Sequence, residues 1–91
     1  MLEREVEAHF AKQVRAKGGR SWKLKFLGVS GAPDRLVVLP GPRVHLVELK
    51  RPVGGIVSFR QRSIHRILAA LDWPVLILCS KAEVDEWISS I

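Results

Sequence analysis

Arg35-Leu36-Val37-Val38-Leu39-Pro40-Gly41-Pro42-Arg43-Val44-His45-Leu46-Val47-Glu48-Leu49-Lys50 is the stretch on which the fold turns. Two apolar runs rich in β-branched residues flank Pro40-Gly41-Pro42. Proline and glycine set turn geometry, and so short a link makes the runs an antiparallel hairpin. Glu48 and Lys50 are two positions apart on a strand, so they share a face. An acid and a base in an otherwise apolar strand are costly if buried without partners. A turn centred on Gly41 sets Asp34 directly opposite Glu48, with Cβ atoms roughly 4.5–5.5 Å apart. Two carboxylates that close repel each other unless a cation lies between them. A hard ion such as Mg²⁺, which takes one or two carboxylates and several waters, suits that position. A slip of one residue would break the pairing. The plainer alternative is a surface hairpin with a Pro-Asp turn at its start and a solvated Glu-Lys pair.

Upstream, Leu2, Val6, Phe10 and Val14 recur at helical spacing, which predicts a helix from Leu2 to about Lys17, closed by Gly18-Gly19. Trp22-Lys23-Leu24-Lys25-Phe26 alternates apolar and basic residues and predicts a half-buried strand. Gly28 to Pro33 predicts a loop. Downstream, Arg51 to Val57 reads as a second loop, containing Pro52 and Gly54-Gly55. Ser58-x-x-Gln61 fits a capping box opening a second helix, with Ile64, Leu68 and Leu71 on one face. Val75 to Cys79 predicts a buried strand. Ser80-x-x-Glu83 opens a last helix with Val84, Trp87, Ile88 and Ile91 inward. The crossover through the second helix makes the last strand parallel to a sheet partner. The expectation is a single α/β domain over residues 1–91, of order αβββαβα, with a small mixed sheet flanked by helices.

The 91 residues carry a net charge of +6, and 47% of them are hydrophobic. That hydrophobic fraction argues against disorder. The basic excess points to a polyanionic partner, and its spread along the chain suggests a folded basic surface rather than an arm. No apolar run approaches the roughly 18 residues needed to cross a bilayer. Met1-Leu2-Glu3-Arg4-Glu5 has acids where a secretion signal needs bases, so the expected location is the cytoplasm. Cys79, the single cysteine, reads as a small buried hydrophobe. His9, His45 and His65 lack zinc-ligand spacing.

Pro33-Asp34 followed by Glu48-x-Lys50 resembles the signature of the PD-(D/E)xK nucleases. The wider pattern is more specific. Gly31-Ala32-Pro33-Asp34-Arg35-Leu36-Val37-Val38-Leu39-Pro40-Gly41, then Val47-Glu48-Leu49-Lys50-Arg51-Pro52, then Ser58 to Gln61, resembles the VRR-NUC branch, the virus-type replication-repair nucleases. The Glu-rich first helix and the closing Ser-x-x-Glu-Val match as well, so the resemblance covers almost the whole chain. Ala32 stands where many relatives carry Val or another small residue. The short length resembles the stand-alone phage and prophage members, which would place the protein in a bacterial host cell.

The resemblance implies a restriction-endonuclease-like core and a metal-dependent endodeoxyribonuclease using Mg²⁺ or Mn²⁺. Asp34 and Glu48 would bind the metal, joined by the backbone carbonyl of Leu49. Lys50 would orient or activate the attacking water and steady the developing phosphate charge. A glutamate of the first helix would join them. Glu3 and Glu7 share a helix face, and Glu3, three residues before Val6, has the spacing seen in related resolvases. Gln61 is the family's motif glutamine, and its capping role and a site role are compatible. His65 reads as structural. Lys23, Lys25, Arg35, Arg51, Arg60, Arg62 and Arg66 are candidate phosphate contacts. The implied substrate is branched DNA, a four-way (Holliday) junction cut by a homodimer. Trp87, Ile88 and Ile91, or the first helix, are candidate surfaces for that dimer. A basic module that binds branched DNA without cutting is the alternative, and a structural subunit of a larger phage complex has no positive sign in the sequence.

Overall fold

The computed structural model describes residues 2–51 and 53–91; Pro52 and Met1 lie outside the described residues. Seven elements follow in the expected order: α1 (Glu3–Ala16), β1 (Arg20–Lys23), β2 (Arg35–Leu39), β3 (Arg43–Leu49), α2 (Phe59–Ala70), β4 (Val75–Leu78) and α3 (Lys81–Ser90). The four strands form one sheet in the order β1-β2-β3-β4. The first three are antiparallel and β4 runs parallel to β3. The architecture is thus the mixed α/β sheet flanked by helices that the periodicities predict.

Register decides which side chains share a face. Arg35 pairs with Val47 and Leu39 with Arg43, so the hairpin is centred on Gly41. Positive φ at Gly41 (+84°) makes that turn possible. Because paired residues point the same way, Val37, Leu39, Val47 and Leu49 form one face, with Leu76 and Leu78 from β4. Val6, Phe10 and Val14 of α1 and Val84 of α3 close over that face, and all four are fully buried. The Phe10 ring stacks on Trp87 at 5.9 Å. Fully burying a side chain of this kind contributes about 1.5–3 kcal/mol. Gly18 and Gly19 end α1 as a Schellman motif: Gly19 N–H donates to Val14 and Gly18 N–H to Arg15.

Three expectations need correction. β1 spans Arg20–Lys23 rather than Trp22 to Phe26. Its partner β2 begins at Arg35, so beyond Lys23 only one further bond, Leu24 N–H to Asp34 O, continues the pairing. Trp87, Ile88 and Ile91, candidates for a dimer surface, are half-buried against the core, and α1 turns Val6, Phe10 and Val14 into it, so both elements spend apolar surface on the fold itself. Cys79 is half-buried rather than buried.

The opposite face of the sheet is covered unevenly. α2 lies over it near β4, and no residue of α2 is fully buried. Trp22, Val38 and Val44 remain exposed there. Among the described residues no helix is long and apolar enough to cross a membrane.

Candidate active site

The carboxyl-bearing positions lie where the β2–β3 pairing ends. Pro33 is fully buried and, lacking an N–H, closes the ladder. Asp34 follows it, continues the register opposite Glu48, and shares its face. The backbone holds Asp34 firmly: Leu49 N–H donates to its Oδ1 at 3.2 Å, and its carbonyl accepts from Leu24 N–H at 2.9 Å. Glu48 is 2% exposed. Burial pushes its carboxyl up to about 8, the neighbouring Asp34 charge adds to the rise, and Lys50 opposes it. The expectation that Asp34 and Glu48 meet on one face is met.

Lys50 Nζ lies 3.9 Å from Glu48 Oε2. The Lys50 N–H donates to Leu78 O at 3.0 Å, extending the β3–β4 pairing one residue past β3. The other oxygen, Glu48 Oε1, is buried and has no hydrogen-bond partner among the described residues.

The two glutamates of α1 separate. Glu7 pairs with Arg35 at 2.8 Å, whereas the charge of Glu3 is felt at Glu48 and contributes to its raised pKa. Of the two, Glu3 is therefore the one associated with the acid pair. Arg35 is correspondingly misassigned as a phosphate contact. It is 8% exposed, points to the α1 face with Val37 and Leu39, and also donates to the Asp34 carbonyl at 3.3 Å.

Gln61 completes the predicted capping box. Its Oε1 accepts from Ser58 N–H at 2.9 Å, and its own N–H donates to Ser58 Oγ at 3.1 Å. The amide Nε2 takes no part in the cap. Gly31 fixes the approach of the preceding loop to this helix end: its φ is +89°, and a Cβ there would sit 2.5 Å from the Arg60 carbonyl carbon. Ser80 caps α3 through Glu83 N–H at 3.1 Å, but the Glu83 carboxylate accepts from Cys79 N–H instead of closing a full box.

His65, read from sequence as structural, lies at the site. Its Nε2 is 3.7 Å from Glu48 Oε1, and burial followed by the Lys50 charge lowers its pKa. A signal was present in the sequence, since Gln61 and His65 are one helical turn apart.

Two clefts surround this centre. One of about 440 Å³ is lined by Glu7, Lys23, Leu24, Lys25, Asp34 and Arg35, with Lys23 paired to Arg35 on the α1 side of the sheet. Another of about 660 Å³ runs between α2 and β4 and includes Arg62, His65 and Arg66. Arg51 and Arg60 are exposed, with Arg51 bonded to Gly54 O at 3.4 Å.

Among the described residues no group of three or more His, Cys, Asp or Glu side chains converges as a metal cage. The donors present nonetheless fit a hard divalent cation. Two carboxylates share one face, one of them has a buried oxygen without a partner, and such ions fill their remaining positions with water.

No family model matches the sequence. A protein of Acyrthosiphon pisum secondary endosymbiont phage 1, named "Putative nuclease p44", is 37% identical over 79 residues, spanning 87% of this chain and 84% of that one. A solved structure described as a VRR_NUC domain matches with a TM-score of 0.89 at 31% identity, covering 96% of this chain and 94% of its own.

Proposed function

This chain belongs to the VRR-NUC family of nucleases, and from that premise we propose that it is a metal-dependent endodeoxyribonuclease with Asp34, Glu48 and Lys50 at its centre. The observation that carries the reading is the buried Glu48 carboxyl held against Asp34 across the hairpin, with Lys50 on the same face. A basic DNA-binding module needs no such pair, which is unfavourable without a cation.

Asp34 and Glu48 would hold the ion, with the Leu49 carbonyl as a further oxygen donor and Glu3 close enough for its charge to be felt at Glu48. A bound Mg²⁺ or Mn²⁺ supplies Lewis-acid stabilisation of the phosphate and a more acidic water. Lys50 donates a hydrogen bond to the attacking water, fixing its direction, and then to the non-bridging phosphate oxygen as charge develops. The Gln61 amide, its oxygen committed to the cap, keeps its N–H donors for water or phosphate. Lys23, Lys25, Arg51, Arg60, Arg62 and Arg66 neutralise phosphates along the duplex. Such contacts position DNA without reading sequence, so the enzyme selects DNA by shape.

The substrate we favour is a four-way junction cut by a homodimer, because two symmetric cuts call for two sites related by a two-fold axis. The uncovered sheet face carrying Trp22, Val38 and Val44 is the surface best suited to the second copy.

The test is incubation of a labelled four-way junction and a linear duplex with Mg²⁺, Mn²⁺ or EDTA. Metal-dependent cutting with preference for the junction is expected. Asp34→Ala and Lys50→Ala should lose at least a hundredfold in rate while still binding DNA. Normal cutting by either variant refutes the assignment. Junction binding without cleavage under every metal identifies a binding module instead.

A further inference from the structure

His65 is a half-buried side chain whose inward ring nitrogen the chemistry above leaves without a task. It projects from α2, on the sheet face that carries Asp34 and Glu48. Its side chain is 13% exposed and that of Glu48 3%. The Nε2 atom of His65 and the Oε1 atom of Glu48 are both sealed from solvent and both lack a hydrogen-bond partner among the described residues. They face each other at 3.7 Å, slightly beyond hydrogen-bond reach. Two orphaned polar atoms of opposite character, each with the other beside it, are a hydrogen bond a small side-chain rotation short of closing. The other carboxylate oxygen, Oε2, is the one nearer Lys50.

We propose that His65 is a positioning residue: its Nε2–H donates to Glu48 Oε1 and turns Oε2 toward the cation and Lys50. The donation needs only a proton on Nε2 and holds for either charge state of the ring. Partners of this kind orient a ligating carboxylate, and their loss typically weakens metal binding by about 10–100-fold. Gln61, one turn earlier on the same helix face, would reach the site from the same side. α2 would then act as the arm that brings both groups to β3, with its placement set by the Ser58 cap and the close approach of Gly31.

The inference rests on Asp34 and Glu48 being the cation's ligands, and the experiment separates the two claims. Mn²⁺ affinity is measured by titration calorimetry on the folded wild type, His65→Ala and His65→Gln, the last keeping an N–H donor near the Nε2 position. The expected result is Mn²⁺ binding by wild type, a loss of about 10–100-fold in His65→Ala, and recovery of most of that loss in His65→Gln. Pulsed electron paramagnetic resonance of the Mn²⁺ protein should show no histidine nitrogen bound to the ion. Unchanged affinity in His65→Ala, no recovery in His65→Gln, or a directly bound histidine nitrogen would each overturn the positioning role. If wild type binds no Mn²⁺, the reading of the acid pair fails and takes this inference with it. Should His65→Ala not fold, nitrogen NMR of the intact Mg²⁺-loaded protein decides: Nε2 of His65 carries a proton if the proposal holds, and a bare Nε2 refutes it.

Discussion

Glu48 concentrates the electrostatic cost of this site in one carboxyl group. Its folded-state pKa is pushed from 4.5 to about 8 by burial and by Asp34. Between those values the folded chain keeps a proton that the unfolded chain releases. Stability therefore falls as pH rises through that window and levels off above it. Glu48→Gln removes the penalty, because the amide is neutral at every pH. The variant should melt higher than wild type at pH 8 and by a clearly smaller margin at pH 4.5. A relief of about 1 kcal/mol would move the midpoint of a chain this size by roughly 4–8 °C. Equal margins at the two pH values would show that Glu48 does not carry the raised pKa. The same proton competes with a divalent cation. Mn²⁺ affinity should then climb with pH by up to about tenfold per unit below pH 8, with proton release on binding. Calorimetry in buffers of different ionisation heat measures that release, and a pH-independent affinity contradicts it.

Among the elements, the β2–β3 hairpin and the serine caps of α2 and α3 are legible in the sequence. A symmetric Pro40-Gly41-Pro42 turn leaves little choice of register, so Asp34 fell opposite Glu48. Ser58 and Gln61 also bond as their spacing implies. What escaped reading depended on partners distant in sequence. β1 stops at Lys23 because β2 begins only at Arg35, which the alternation of Trp22 to Phe26 does not encode. His65 meets Glu48 because α2 crosses the sheet, a tertiary fact. Arg35 was misread although the period of two had already placed it with Val37 and Leu39, on the face that α1 covers. The placement of α2 is the element most open to test. It buries no residue completely, so its ends carry much of its positioning. Ser58→Ala removes the cap and should cost about 1 kcal/mol. Gly31→Ala should destabilise more, since its Cβ would lie 2.5 Å from the Arg60 carbonyl carbon at a φ of +89°. Thermal melts order the two variants, and a Gly31→Ala protein as stable as wild type would mean that the loop does not brace α2.

At the scale of the molecule the two faces of the sheet are unequal. α1 and α3 seal one face around Phe10, Leu49 and Val84. The other face has α2 over β4, while β1 and β2 present Trp22 at 54% and Val38 at 39% exposure, with Val44 of β3 at 39%. Register carries this apolar surface across the strands, from Trp22 through Leu36 to Leu46, and beside it from Val38 to Val44. It lies on the face of Asp34 and Glu48, toward the opposite end of the strands. Two copies joined there about a two-fold axis would hold both acid pairs on one assembly. A stable interface of this kind needs about 1,000 Å² or more in total, so a single central charge should disrupt it. Val38→Glu is suitable, because the side chain already reaches solvent. Light scattering after gel filtration should give a dimer for wild type and a monomer for Val38→Glu. The variant should keep metal-dependent nicking but cut the two strands of a junction in separate events. A Val38→Glu dimer would move the interface elsewhere, and a monomeric wild type that still makes paired cuts would remove the need for one.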